Sequence, residues 1–146
     1  MTTYMEKSSQ SVIIADTSGL VSLFSPDDQN HAVAVKAAKR LQSAHKDILV
    51  PAAVFVEFLN VLGRKAGHTA ALAAVSELTP PFLVLHEPAN APHALKKFAT
   101  VPQAVSFTDC VVMALADEYA TSDIFGFDKQ FEDAGYHRLE PSTEWK

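Results

Sequence analysis

The chain carries a single cysteine, Cys110, in 146 residues. One thiol excludes an intrachain disulfide framework and any zinc site built on several cysteines, and it fits a reducing, cytoplasmic setting. Cys110 lies in an apolar helical run, where a lone thiol reads as a packed core residue. Long apolar runs are missing as well. None approaches the ~20 residues needed to span a bilayer, so no membrane association is expected. Residues 1–10 are polar and lack the apolar centre of a signal peptide; they read as a flexible tail ahead of a single domain over residues 11–146. There is no excess of positive charge. Lys and Arg number 12 against 17 Asp and Glu, a formal net charge of −5. That balance argues against non-specific affinity for nucleic acid, but not against a nuclease that concentrates acids at a metal site. The six histidines (His31, His45, His68, His86, His93 and His137) show no metal-ligand spacing. Internal repeats, low-complexity segments and interdomain linkers are absent.

What is present is enough apolar material, 48% of residues, for one substantial core. Its pattern alternates between strand and helix. Val12 to Asp16 is short, β-branched and apolar, and reads as a buried strand. A short helix through Leu20, Val21 and Phe24 follows and stops at Pro26, and Asp27-Asp28 then opens a helix to about His45. Ile48 to Val50 is a second strand closed by Pro51. Residues 52–65 are helical up to the stop at Gly67, and residues 68–78 form an alanine-rich helix. After Thr79-Pro80-Pro81, residues 82–85 form a third strand, and Pro88 suits the first turn of a helix to Ala99. Ser106 caps a helix to Tyr119, residues 123–127 form a fourth strand, and residues 128–134 a short helix ended by Gly135. A last short strand is expected near His137 to Leu139. This alternation implies an α/β fold, a mostly parallel sheet of four to five strands flanked by helices.

Four acids interrupt that apolar pattern. Asp16 ends Val12-Ile13-Ile14-Ala15, Glu57 sits between Val56 and Phe58, Asp109 precedes Cys110-Val111-Val112-Met113, and Asp128 follows Ile124-Phe125-Gly126-Phe127. A carboxylate among core residues is costly to bury unless something neutralises it. Asp16 and Asp128 fall at strand ends, where open parallel sheets place their sites. Glu57 and Asp109 fall in the early turns of helices, each on a face shared with apolar residues. Each has an ordinary alternative. Asp16 and Asp128 also suit helix N-caps, Ser106 with Asp109 matches a capping box, and Glu57 can pair with a lysine or arginine. Two carboxylates about 4 Å apart repel by about 4 kcal/mol at an effective dielectric of about 20, so four together take up protons or bind a cation. Carboxylate oxygens without clustered His or Cys favour Mg²⁺ or Mn²⁺. Such ions suit phosphodiester hydrolysis.

In that order the motifs resemble the PIN-domain family, and most closely its VapC-type toxin ribonucleases. Asp16-Thr17-Ser18 follows the first strand; Asp28, Asn30 and His31 precede an alanine-rich helix; Pro51 precedes the helix of Glu57; and Ser106-Phe107-Thr108-Asp109 opens a later helix. Phe127-Asp128-Lys129-Gln130-Phe131 is then followed by Gly135, Arg138, Leu139 and Pro141. The resemblance covers about residues 13–141. It implies a Rossmann-like sandwich and an endoribonuclease that cleaves RNA with water activated at a Mg²⁺ or Mn²⁺ site. On it, Asp16 and Asp109 would be the main metal ligands, and Glu57 and Asp128 would bind a second ion or hold the attacking water. Thr17 or Ser18, and Ser106, would be supporting donors. A small antitoxin protein and a second copy of the chain are the partners it implies. The pattern departs at Gly126, where family members often carry Thr or Ser; water or another residue must then orient Asp128, and metal affinity is expected to be weaker.

Basic residues offer a few phosphate contacts. Lys129, beside Asp128, is the best placed for substrate, whereas Lys36, Lys39 and Arg40, Arg64-Lys65 and Lys96-Lys97 read first as solvated faces. Two rival readings remain: a PIN nuclease of RNA processing without an antitoxin, and a non-catalytic RNA- or protein-binding module on the same fold.

Overall fold

A computed structural model of the chain describes residues 12–85 and 91–140. Its sheet has four strands: β1 (Val12–Ala15), β2 (Asp47–Val50), β3 (Phe82–Val84) and β4 (Ile124–Phe125), in the order β3-β2-β1-β4. Every pairing is parallel. β1 is central, and all four of its residues are buried, which is why it carries a continuous run of apolar side chains rather than an alternating one. The chain moves outward from β1 through β2 to β3, then crosses back to lay β4 on the other side of β1. Strand order therefore reverses at β1, and the crevice beyond the carboxyl ends of β1 and β4 is the switch point where such sheets place a ligand. Register makes those ends level. Ala15 pairs with Phe125, and the amide of Asp16 donates to the Phe125 carbonyl at 3.0 Å.

Among the described residues seven helices cover the sheet: α1 (Thr17–Phe24), α2 (His31–Ser43), α3 (Ala52–Ala66), α4 (His68–Ser76), α5 (Ala91–Phe98), α6 (Phe107–Glu118) and α7 (Lys129–Asp133). α1 packs on α2 and α3, α3 on α4, and α5 on α6. α6 lies against β1, and its residues from Asp109 to Ala116 are all buried. A helix apolar on all sides is one enclosed by its neighbours, which places Asp109 in the interior. α3 shows the amphipathic alternative: Val54, Phe58 and Leu62 face the core while Val56 is exposed.

Three expectations shift. The helix expected from Asp27 begins at His31, because the Asp28 carboxylate accepts from the Asn30 amide at 2.9 Å and from Ser22 Oγ at 2.8 Å, tying that stretch into a turn. The fifth strand is reduced to one parallel bridge between Asp123 and His137. β4 is only two residues long, yet backbone bonds run on beside it, the Leu139 amide donating to the Gly126 carbonyl at 2.8 Å. The helix expected from Pro88 is seen from Ala91; Pro88, the tail at residues 1–10 and residues 141–146 lie outside the described residues.

The crevice depends on one close approach. α1 leaves β1 so tightly against β4 that a Cβ on Gly19 would overlap the Phe125 carbonyl oxygen, a backbone atom that has no room to retreat. We therefore expect Gly19→Ala to destabilise the fold by about 3 kcal/mol or more, read by chemical denaturation.

Candidate metal centre

Asp16 follows β1 and is 2% exposed. It caps α1, its Oδ2 accepting from the Ser18 amide at 3.3 Å and from Ser18 Oγ at 3.1 Å. Asp109 is 6% exposed and sits in the first turn of α6 in a reciprocal capping box. The Ser106 amide donates to its Oδ2 at 2.9 Å, and the Asp109 amide donates to Ser106 Oγ at 3.1 Å. Asp128 stands at the N-cap position of α7 but makes no capping bond with its side chain. An oxygen from each of Asp16, Asp109 and Asp128 lies within 4.8 Å of the other two. The capping readings of Asp16 and Asp109 are thus correct, and they are compatible with convergence: the caps hold both carboxylates in fixed orientations at the crevice.

Glu57 lines the same cleft from α3, half-buried, but stands outside that trio. Among the described residues it makes no ion pair; its charge acts on Asp128. Thr17 and Ser18 also line the cleft, and Thr17 Oγ1 is buried without a hydrogen-bond partner. Ser106 is exposed and acts on Asp109 through the capping box. Lys129 is exposed and is not part of the cleft lining.

The absent hydroxyl at position 126 has a physical reason. A Cβ on Gly126 would stand 2.7 Å from the Asp16 Cβ and 3.2 Å from Ser18 Oγ, so the space is already filled. Ser18 supplies a hydroxyl there instead: it donates to Asp16 and accepts from the Phe127 amide at 2.9 Å, linking the ends of β1 and β4. Asp128 has the Asp16 carboxylate beside it, an oxygen of each lying within 4.8 Å of the other.

Crowding sets the protonation. Burial, and then the charges of Asp128 and Asp109, push Asp16 up to about 8, against the opposing effect of its Ser18 hydrogen bonds. Asp128 is also raised, by burial and by Asp109, with a smaller push from Glu57; the Asp16 hydrogen bond and the Arg138 guanidinium oppose it. Near neutral pH Asp16 therefore favours its protonated form, and a cation in the crevice would do the same neutralising work. Three converging carboxylate oxygens without His or Cys suit a hard divalent cation such as Mg²⁺ or Mn²⁺ rather than zinc.

Two contacts were not assigned from sequence. Gln130 Nε2 donates to Asp109 Oδ2 at 2.9 Å, and Arg138 Nη1 donates to the Phe127 carbonyl at 2.9 Å while its charge bears on Asp128. Neither left a signal in the sequence, since the partners stand 21 and 11 residues apart.

The raised Asp16 makes metal-free stability depend on pH. Unfolded Asp16 titrates near 3.8 and folded Asp16 at about 8. Between those values the native state keeps a proton that the unfolded state has lost, so stability falls as pH rises through the window and is fully reduced above it. We expect Tm in EDTA to fall from about pH 5 to about pH 8 and this slope to flatten in Asp16→Asn, whose amide keeps a capping oxygen.

The comparisons with known proteins agree with this architecture. The crystal structure of Mycobacterium tuberculosis VapC20, described as a sarcin–ricin-loop-cleaving toxin, superposes with a TM-score of 0.71 at 26% identity, covering 86% of this chain and 96% of that one. No curated protein matches the sequence. The family model of the PIN domain matches residues 13–135, a span that runs from β1 through α7 and includes all four acids. With that span covering most of its length, the chain belongs to the PIN-domain family.

Proposed function

We propose that this protein is a Mg²⁺- or Mn²⁺-dependent endoribonuclease, the toxin of a toxin–antitoxin pair. The observation that carries the reading is the convergence of Asp16, Asp109 and Asp128 at the switch point, with Asp16 pushed up to about 8 by its neighbours. The likeness to VapC20, an RNA-cleaving toxin by its description, supports the substrate class and the toxin assignment.

In this reading Asp16 and Asp109, both orientation-locked by capping bonds, hold the cation, with Asp128 completing the set. A divalent cation at such a site withdraws charge from phosphate oxygens, acidifies a bound water and stabilises the leaving oxygen. The chain's own contribution is placement. Glu57 lines the cleft with the trio, where it can hold a water or a second ion, and Thr17 lines it too, its hydroxyl buried without a protein partner. Ser18 keeps Asp16 from rotating. Lys129, outside the cleft lining, would meet the RNA backbone at its rim.

A small antitoxin protein and a second copy of the chain are proposed partners, in the cytoplasm. The helix pair α3–α4 supports a partner surface: Val54, Phe58, Leu62, Ala71 and Ala74 are consumed by the core, yet Val56 is 58% and Leu72 68% exposed. Among the described residues no helix is long and apolar enough to cross a membrane.

We expect Asp16→Asn and Asp109→Asn each to lower RNA cleavage by more than about 100-fold, beyond the loss usual for residues that only support a metal ligand. Metal-free Tm should stay level or rise in both; a fall in both with cleavage retained would leave the carboxylates as caps only. Sequencing of RNA 5′ ends after brief induction should reveal discrete new ends with the parent and none with Asp16→Asn. In EDTA-treated protein, Mn²⁺ at about 100 times its dissociation constant should stabilise the fold by about 2.7 kcal/mol, measured at the pH where Asp16 is ionised.

A further inference from the structure

We propose that Gln130 is a positioning residue for Asp109, fixing which of its oxygens is offered to a cation. The inference rests on the cation-binding reading above. Asp109 Oδ2 receives two donors at 2.9 Å, the Ser106 amide from its own helix and Gln130 Nε2 from α7. Among the described residues Oδ1 receives no hydrogen bond. A buried carboxylate beside two other acids is driven to turn away from them, and one donor from its own backbone leaves a pivot about that bond. The second donor, arriving from a different element, removes the pivot. It also adds no charge: an amide holds the oxygen without competing electrostatically with a cation, as a lysine or arginine would.

The same residue couples two acids. Gln130 lies two positions after Asp128 on α7, a five-residue helix anchored by Phe131, which is fully buried. Its bond to Asp109 therefore ties the start of α7 to the start of α6, so that Asp128 and Asp109 keep their separation when like-charge repulsion would spread them.

The test is calorimetric titration of metal-stripped protein with Mn²⁺, alongside Tm in EDTA, for the parent, Asp16→Asn, Gln130→Met and Gln130→Leu. Both Gln130 variants keep bulk and lose the donor. We expect each to bind Mn²⁺ about 10-fold or more weakly while metal-free Tm is unchanged or slightly higher. Asp133→Asn, an exposed change on the same helix, should bind as the parent does. Parent-like Mn²⁺ affinity in both donor-less variants overturns the proposal, as does weaker binding accompanied by an equal loss of metal-free stability, which would mark Gln130 as a packing residue. If the parent binds Mn²⁺, Asp16→Asn does not and Gln130→Met binds normally, only this inference fails. If the parent itself does not bind, the cation reading fails and takes the inference with it.

Discussion

Mutual repulsion among two buried carboxylates and a third, half-buried one is the constraint around which the crevice is built. Asp16, Asp109 and Asp128 come from the ends of two strands and the start of a helix, and no single element could hold them together. Each needs outside restraint, and the structure supplies it locally. Ser18 restrains Asp16, the capping box and Gln130 restrain Asp109, and the Gln130 bond ties in the helix that Asp128 opens. Gly19 and Gly126 allow the approach by keeping side chains out of the space where α1, β1 and β4 meet. The price is metal-free stability, since the proton that relieves the repulsion is lost as pH rises.

Helix capping and ligand geometry prove to be one arrangement rather than competing explanations. An N-cap or N3 carboxylate is aimed by backbone amides at the positive end of its helix. When two such helix starts and a strand end share one sheet edge, the caps point their acids at a common volume. The parallel topology is what brings them there. Strand order reverses at β1, so β1 and β4 end side by side with α1 and α7 leaving from the same edge and α6 packed against β1.

Much of this was legible in sequence because it rests on local pattern. An apolar run ended by an acid marks a buried strand end, which located Asp16 and Asp128, and apolar helical neighbours marked Asp109 as buried. Glu57 was correctly placed on a helix entering the same cleft, yet its distance from the trio depends on how α3 is tilted, and no local pattern encodes that tilt. The start of α2 was misplaced because Asp28 looks like a helix opener and instead binds Ser22 and the Asn30 amide to close a turn. The last strand amounts to a bridge because β4 is two residues long, although backbone bonds at His137 and Leu139 follow its edge. Gln130 received no role because a hydrogen bond between residues 21 apart in sequence leaves no trace in spacing. Gly126 was read as a missing hydroxyl, whereas only the three-dimensional contact with Asp16 and Ser18 explains why a side chain is excluded there.

The central claim is that Asp16, protonated in the metal-free protein, exchanges that proton for a divalent cation. Calorimetric titration of the metal-stripped protein with Mn²⁺ near neutral pH, repeated in buffers of different ionisation enthalpy, counts the protons released on binding. The account predicts release of about one proton per binding event, because the ligands must be ionised to take the metal. Binding without proton release, or no binding, would contradict it.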